Sequence, residues 1–321
     1  MIQRCIEIIQ DGGELDFSQA MDLAQKASLK DLCKAADKIC RDIHAARFDL
    51  CSIINARSGK CSEDCKYCAQ SVHHNTDINT YQQIASQTAI DQARENDAYG
   101  VSRLSLVTAG RSLNPSQIDS MGELYVAMAE ETDLRFCASM GFLTERTARQ
   151  LVSFGVVRYH CNLESCRQYF PSICTTHTWE EKVATLRIAK AAGMDLCSGG
   201  IIGMGESPEN RVQLAFELRQ LEVLSIPINI LSPIESTPLA GVESISLEDV
   251  LRCVALFRFI NPQAVIRIAG GRGRFGQDQY KLFAAGANGA IVGDYLTTTG
   301  AGVTEDLVEF ARLGFDLSGK T

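Results

Sequence analysis

Hydrophobic and polar positions change rhythm near residue 47 of this 321-residue chain. Before it, Leu15, Ala20, Leu23 and Ala24, then Leu32, Cys33, Ala36, Ile39, Cys40 and Ile43, recur every three to four residues, which predicts helices over 14–46. Beyond it, short β-rich runs alternate with segments of helical period. The runs are LCSIINA (50–56), RLSLV (103–107), LRFCAS (134–139), VVRYHCNL (156–163), DLCSGGI (195–201), PINILS (227–232), AVIRIA (264–269) and GAIVG (289–293). Helical patterns fall near 81–98, 116–131, 144–154, 178–192, 208–221, 247–260, 275–285 and 304–313. Eight strand–helix pairs predict an α/β chain, a (β/α)8 TIM-type barrel over 47–321 preceded by an N-terminal helical extension over 1–46. The competing layout is an open doubly wound sheet, and the lack of an early G-x-G-x-x-G turn counts against it.

Side chains alternate across a strand, so one parity of each run faces the barrel interior. That parity offers Arg103 and Ser105, then Arg135, Cys137 and Ser139, His160, Asn162 and Glu164, Asp195 and Cys197, Asn229, and Arg267. Polar groups on so many neighbouring strands cannot all face an apolar helix layer without a heavy desolvation cost. The pattern therefore predicts a ligand cavity in place of a packed core.

Composition narrows the class. A formal charge of −8 and the lack of a basic stripe argue against nucleic acid. No run of about 18 uncharged apolar residues offers a membrane span. The start, MIQRCIEIIQDGGE, carries Arg4 and Glu7 in its short apolar run and does not read as a secretory signal, so the expectation is a cytoplasmic protein. Thirteen cysteines in such a chain point to metal binding or catalysis where they cluster. Isolated ones, Cys5, Cys33, Cys40, Cys174 and Cys253, read as small buried hydrophobes.

The cluster is GKCSEDCKYCAQS (59–71), directly after the first strand and so at the barrel mouth. Cys61, Cys65 and Cys68 supply three soft donors. Structural zinc needs a fourth, for which Cys51, His73 and His74 are the nearest candidates. A [4Fe–4S] cluster held by only three thiolates would instead leave one iron open to chelation by a small molecule.

C-x-x-x-C-x-x-C with Tyr67 before the last cysteine resembles the cluster motif of the radical S-adenosylmethionine (SAM) superfamily. The resemblance implies that the open iron takes the amino and carboxylate groups of SAM, which is cleaved to a 5′-deoxyadenosyl radical. Further stretches, NARSGKCSEDCKYCAQS, CSGGIIGMGE, PINILSPIESTPL, VIRIAGGR and AGANGAIVGDYLTTTG, together resemble the biotin synthase family over roughly 45–315. That resemblance implies sulfur insertion into dethiobiotin, with sulfur drawn from an auxiliary iron–sulfur cluster. Cys137, Cys197 and Arg267 match three of its four ligands, while Ser105 stands where the family pattern has cysteine. Cys166, in phase just past strand four, is the favoured compensating ligand, with Cys161 of opposite parity as an alternative. The auxiliary cluster is then either of the 2Fe–2S type or a larger four-iron one.

Asn162 and Glu164 match positions near the SAM ribose, with Glu where Asp is more usual. His160 replaces an asparagine expected at the ureido ring, Asn229 matches a ureido-binding position, and Thr298 and Thr299 match a loop that holds the substrate carboxylate. The resemblance also implies a homodimer and a reducing electron donor such as flavodoxin or ferredoxin. Arg267 has a plainer reading, a salt bridge to Asp195 or Glu164. GGRGRFG (270–276) lacks the Lys-Ser/Thr of a phosphate loop and reads as a tight turn. Two other functions remain compatible: another radical SAM barrel enzyme, of the mutase or metallocofactor-maturation kind, and an iron–sulfur electron carrier.

Overall fold

The computed structural model describes residues 1–293 and 302–318. Three helices, α1 (Ile2–Gln10), α2 (Phe17–Lys26) and α3 (Leu29–His44), precede the first strand. Then come β1 (Asp49–Arg57), α4 (Ser86–Ala98), β2 (Arg103–Thr108), α5 (Pro115–Ala129), β3 (Arg135–Ser139), α6 (Glu145–Ser153) and β4 (Val156–His160). The second half holds α7 (Trp179–Ala191), β5 (Asp195–Cys197), β6 (Gly200–Ile202), α8 (Pro208–Gln220), β7 (Ser225–Ile230), α9 (Leu247–Ile260), β8 (Val265–Ile268), β9 (Gly289–Ile291) and α10 (Val303–Arg312). Local chemistry fixes several helix starts. Asn114, Thr144, Thr178 and Ser207 cap α5, α6, α7 and α8 with reciprocal side-chain bonds to the third helical residue.

All strand pairs are parallel, in the order β5-β4-β3-β2-β1-β9-β8-β7-β6, and β5 also pairs with β7. β5 and β6 are thus two halves of one stave, and the sheet closes into the expected eight-staved (β/α)8 barrel. Between them the backbone passes close to β7. A Cβ on Gly199 would collide with the Pro227 carbonyl oxygen, and the Gly199 N–H donates to Asn162 Oδ1 at 3.0 Å. α2 and α3 lie outside the barrel against α8 and α9, and one apolar core runs from Ile6, Leu23 and Leu32 through Phe257 and Phe283 to the strands.

Several expected boundaries shift. α1, which lies before the region read as helical, buries Cys5, Ile6 and Ile9. The helix expected from 81 starts at Ser86, because Tyr81 and Ser58 exchange backbone bonds of 3.0 and 3.1 Å. The helix expected over 275–285 is a run of tighter 3-10 turns, Arg272–Ala285, kinked at Gly276 with φ +51°. The fourth strand ends at His160 where the pattern ran to 163.

Candidate active site

Strand register sorts the interior side chains into layers. Cys51 pairs with Arg103 and Arg103 with Arg135, two residues short of Cys137. Cys137 leads through Arg158 to Asp195, two short of Cys197. Cys197 leads through Ser225 to Val265, two short of Arg267. Arg267 leads through Gly289 to Asp49, two short of Cys51, and the circuit closes. Barrel interiors are built from such sets of four, drawn from alternate staves. Cys51, Cys137, Cys197 and Arg267 therefore form one layer. By the same walk Ser105, His160, Pro227 and Ile291 form the layer above, and Arg103, Arg158, Ser225 and Gly289 the layer below. The upper two layers line a cavity of about 400 Å³, within the range of small-molecule sites.

The floor is charged. Buried Asp49 accepts from Arg267 Nη2 and lies 3.7 Å from Arg103 Nε and 3.9 Å from Arg158 Nη1. Burial opposes ionisation of Asp49, but the Arg267, Arg158 and Arg103 charges hold its carboxyl below the usual range. Arg267 is paired with this aspartate, not with Asp195 or Glu164; the bland reading had the right kind of partner and the wrong residue. Arg267 Nη1 also donates to Ser225 Oγ at 2.7 Å and lies 4.0 Å from Cys197 Sγ. His160 Nδ1 is 3.3 Å from the same sulfur. Burial would raise the Cys197 thiol, yet His160, Arg267 and Arg158 bring it down to about 6. Burial pushes Cys137 up to about 11 and Cys51 up to about 12.

At the mouth, the loop after β1 carries Cys61, Cys65 and Cys68, all half-buried. The loop is tied to the β4–α7 connection. Asp64 Oδ1 accepts from Thr175 N at 2.8 Å and Thr176 N at 3.2 Å, and Lys66 N donates to Ile173 O at 2.9 Å. Glu63 Oε2 meets His177 Nδ1 at 2.6 Å, Thr176 Oγ1 at 2.9 Å and Arg111 Nη1 at 3.1 Å. Tyr67 and Cys68 reach the cavity beside Asn162 and Glu164. Asn162 Nδ2 is 3.4 Å from Glu164 Oε2, and buried Lys182 places Nζ 4.0 Å from Glu164 Oε1. Burial drives the Tyr67 hydroxyl well above its ordinary pKa.

The fourth-ligand candidates for zinc do not gather at this loop. His73 and His74 turn their rings to the Ser62 and Cys65 carbonyls, each at 3.1 Å, and Cys51 lies inside the barrel. A different trio does converge: Cys65, Cys174 and His177 bring their ligand atoms within 4.8 Å of one another. Cys174 Sγ is 3.7 Å from Cys65 Sγ and 3.3 Å from His177 Nδ1. The hydrogen bond from Cys65, with the His177 ring, holds the Cys174 thiol down to about 4. Cys174 is therefore more than an isolated core cysteine.

Asn229 lines the cavity, its Oδ1 taken by Gly270 N at 3.0 Å. Thr298 and Thr299 lie outside the described residues. Cys166 requires correction: its side chain is fully buried in the apolar core between barrel and helices, and it does not line the cavity. The cause is Glu164, whose backbone turns left-handed at φ +68° and resets the alternation assumed past the strand end. Cys161 is likewise in that core. Arg135 and Asp195 are exposed at the lower rim, and Arg103 faces the floor. Arg272 pairs with Asp306, and Arg274 Nη1 donates to Leu231 O at 2.9 Å, so both brace the turn they begin. Sequence reasoning missed Asp49, Arg158, Lys182 and His177, and passed over Cys51 as a cavity residue.

The fold matches solved structures. Methylornithine synthase superposes with TM-score 0.84 at 17% identity over 98% of each chain. The FeFe-hydrogenase maturase from Carboxydothermus hydrogenoformans gives 0.81 at 18%, over 98% of this chain and 78% of the other. Residues 56–218 match the Radical SAM superfamily, so fold and motif together define a radical SAM enzyme. Residues 227–316 match the Biotin and Thiamin Synthesis associated domain. The chain is 50% identical to biotin synthase of Desulfotalea psychrophila over 100% of its own length and 96% of that protein, and 45% identical to that of Porphyromonas gingivalis over 100% and 98%. It belongs to the biotin synthase family, enzymes of radical SAM sulfur insertion, and membership implies a [4Fe–4S] cluster and SAM as cofactors. The donor set fits that chemistry, with three soft thiols on one loop beside the cavity. Inside, Ser105 Oγ and Arg267 Nε are buried without a hydrogen-bond partner among the described residues, which is costly unless a bound group satisfies them. Among the described residues no helix is long and apolar enough to cross a membrane.

Proposed function

We propose that the chain forms biotin from dethiobiotin by inserting sulfur between two saturated carbons. The observation that carries the reading is that the thiol loop at the mouth and the Cys137, Cys197 and Arg267 cluster below it face one cavity. Cys61, Cys65 and Cys68 would hold the [4Fe–4S] cluster, and Tyr67, Asn162 and Glu164 would contact SAM. When bound, cluster and SAM supply a 5′-deoxyadenosyl radical able to take hydrogen from unactivated carbon. Cys137, Cys197 and Arg267 would hold the auxiliary cluster that donates sulfur, the Arg267–Asp49 pair fixing the guanidinium plane. His160, in the layer above, would place its ring between that sulfur source and the substrate, and Asn229 would offer its remaining N–H to the ureido oxygen. Thr298 and Thr299 are assigned to the substrate carboxylate by resemblance alone. Residues 1–46 act as a helical brace for the barrel of 47–321. A flavodoxin or ferredoxin as electron donor, a homodimer and a cytoplasmic location belong to the same reading.

The test is an anaerobic reaction of reconstituted protein with SAM, a reductant and dethiobiotin. Deoxyadenosine together with biotin is the expected outcome. Deoxyadenosine formed only with a different substrate would move the chain to another radical SAM activity.

A further inference from the structure

The layer that contains Cys137, Cys197 and Arg267 has a fourth member, and it is a cysteine. We infer that Cys51 is the remaining protein ligand of the auxiliary iron–sulfur cluster, supplying from the first stave the thiolate that Ser105 cannot supply from the second. This rests on the proposed role of Cys137, Cys197 and Arg267 and adds the residue that completes their set.

Register carries the inference first. Cys51, Cys137, Cys197 and Arg267 come from the first, third, fifth and seventh staves, and each stands two residues beyond the strand partner of the one before. Four such side chains surround the barrel axis at one height. Ser105 belongs to the next layer up, with His160, Pro227 and Ile291. The environment agrees. Cys51 is buried and lines the same cavity as the other three. Its one described hydrogen bond is a long one, 3.7 Å, to the carbonyl of its neighbour Ser52. Among the described residues no group donates to the sulfur.

The alternatives are weaker. The Cys166 and Cys161 thiols lie in the apolar core. Ser105 faces the cavity, but a serine hydroxyl stays protonated near neutral pH and is a harder donor than thiolate, which iron–sulfur sites use. Nor do the three interior thiols converge tightly enough to form a single-ion site, whereas Cys65, Cys174 and His177 do. A cluster spreads its irons and asks its donors to stand apart around it. With Cys51 in the set, the cluster sits a layer deeper than one drawing on the Ser105 position. The layer of Ser105, His160, Pro227 and Ile291 is then left free to face the substrate.

The test isolates the inner site. In full-length protein carrying Cys61→Ala, Cys65→Ala and Cys68→Ala together, only the auxiliary cluster can load. After anaerobic reconstitution, iron, sulfide and the visible absorption spectrum are measured. Adding Cys51→Ala or the near-isosteric Cys51→Ser is expected to cut bound iron by about tenfold or more, since soft thiolate is the donor lost. Adding Ser105→Ala or Cys166→Ala is expected to leave it unchanged. Full iron and an unaltered spectrum in a folded Cys51 variant would overturn the inference while the auxiliary-cluster reading stands. A triple variant that itself binds no iron would remove that reading, and the inference with it.

Discussion

Asp49→Asn removes one charge from the barrel floor while keeping the shape of the side chain and one carbonyl acceptor. In the native chain Asp49 is 5% exposed and faces Arg267, Arg103 and Arg158. A second carboxylate, Asp195, has a side chain 58% exposed and lies 3.8 Å from Arg158. The variant thus removes the buried carboxylate that Arg267, Arg103 and Arg158 all face. Stranding one buried ion by removing its partner costs about 3–5 kcal/mol. The close Arg267 contact falls in that range, and the two longer ones push toward its upper end, about 4–5 kcal/mol. An unfolding entropy of about 2.1 cal/mol/K per residue gives roughly 0.7 kcal/mol/K for a chain of this length, hence a fall in Tm of about 6–7 °C. Calorimetry and urea unfolding of the purified chain, native and variant side by side, measure it. A drop of less than about 1.5 °C, near 1 kcal/mol, would show that the arginines are compensated elsewhere and refute the reasoning.

Glu63→Gln breaks the charged tether from the thiol loop to His177 and Arg111; iron should leave the loaded enzyme several-fold faster in the presence of a chelator, and an unchanged release rate counts against the tether. Gly199→Ala places a methyl group on the Pro227 carbonyl and should cost about 3 kcal/mol or more, read as a lower urea midpoint. His44 is held down to about 4 by burial and by the Arg258 charge, below its unfolded value of about 6.5. The unfolded chain therefore binds the extra proton in that window. Its contribution to stability is complete above about pH 6.5 and is lost as pH falls through 4. His44→Gln should flatten this part of the stability–pH curve, and parallel curves would show that another group is responsible.

The barrel was legible because its strands and helices differ in period, and each switch is visible over ten residues. The gathering of Cys61, Cys65 and Cys68 on one loop was legible because a loop motif is local. The inner layer was only partly so. Cys137 and Cys197 stand out by parity, but the first half of β1 is buried on both faces, so nothing in its pattern says which side Cys51 takes. Cys166 was misplaced because nothing in Asn-Leu-Glu-Ser announces a left-handed glutamate. The partner of Arg267 is 218 residues away and follows from barrel closure, which sequence spacing cannot express. Cys174 and His177 reach Cys65 only because two mouth loops are tied together, a tertiary fact without a local signature.

Three arginines crowd around one aspartate beneath the cavity, so cations outnumber the carboxylate they share on the side away from the mouth. In a low-dielectric chamber such an imbalance acts as a standing electric field along the barrel axis. Anions fall toward the base and cations are pushed toward the opening. A ligand with a positive end would be oriented before it touched any side chain, that end kept toward the mouth.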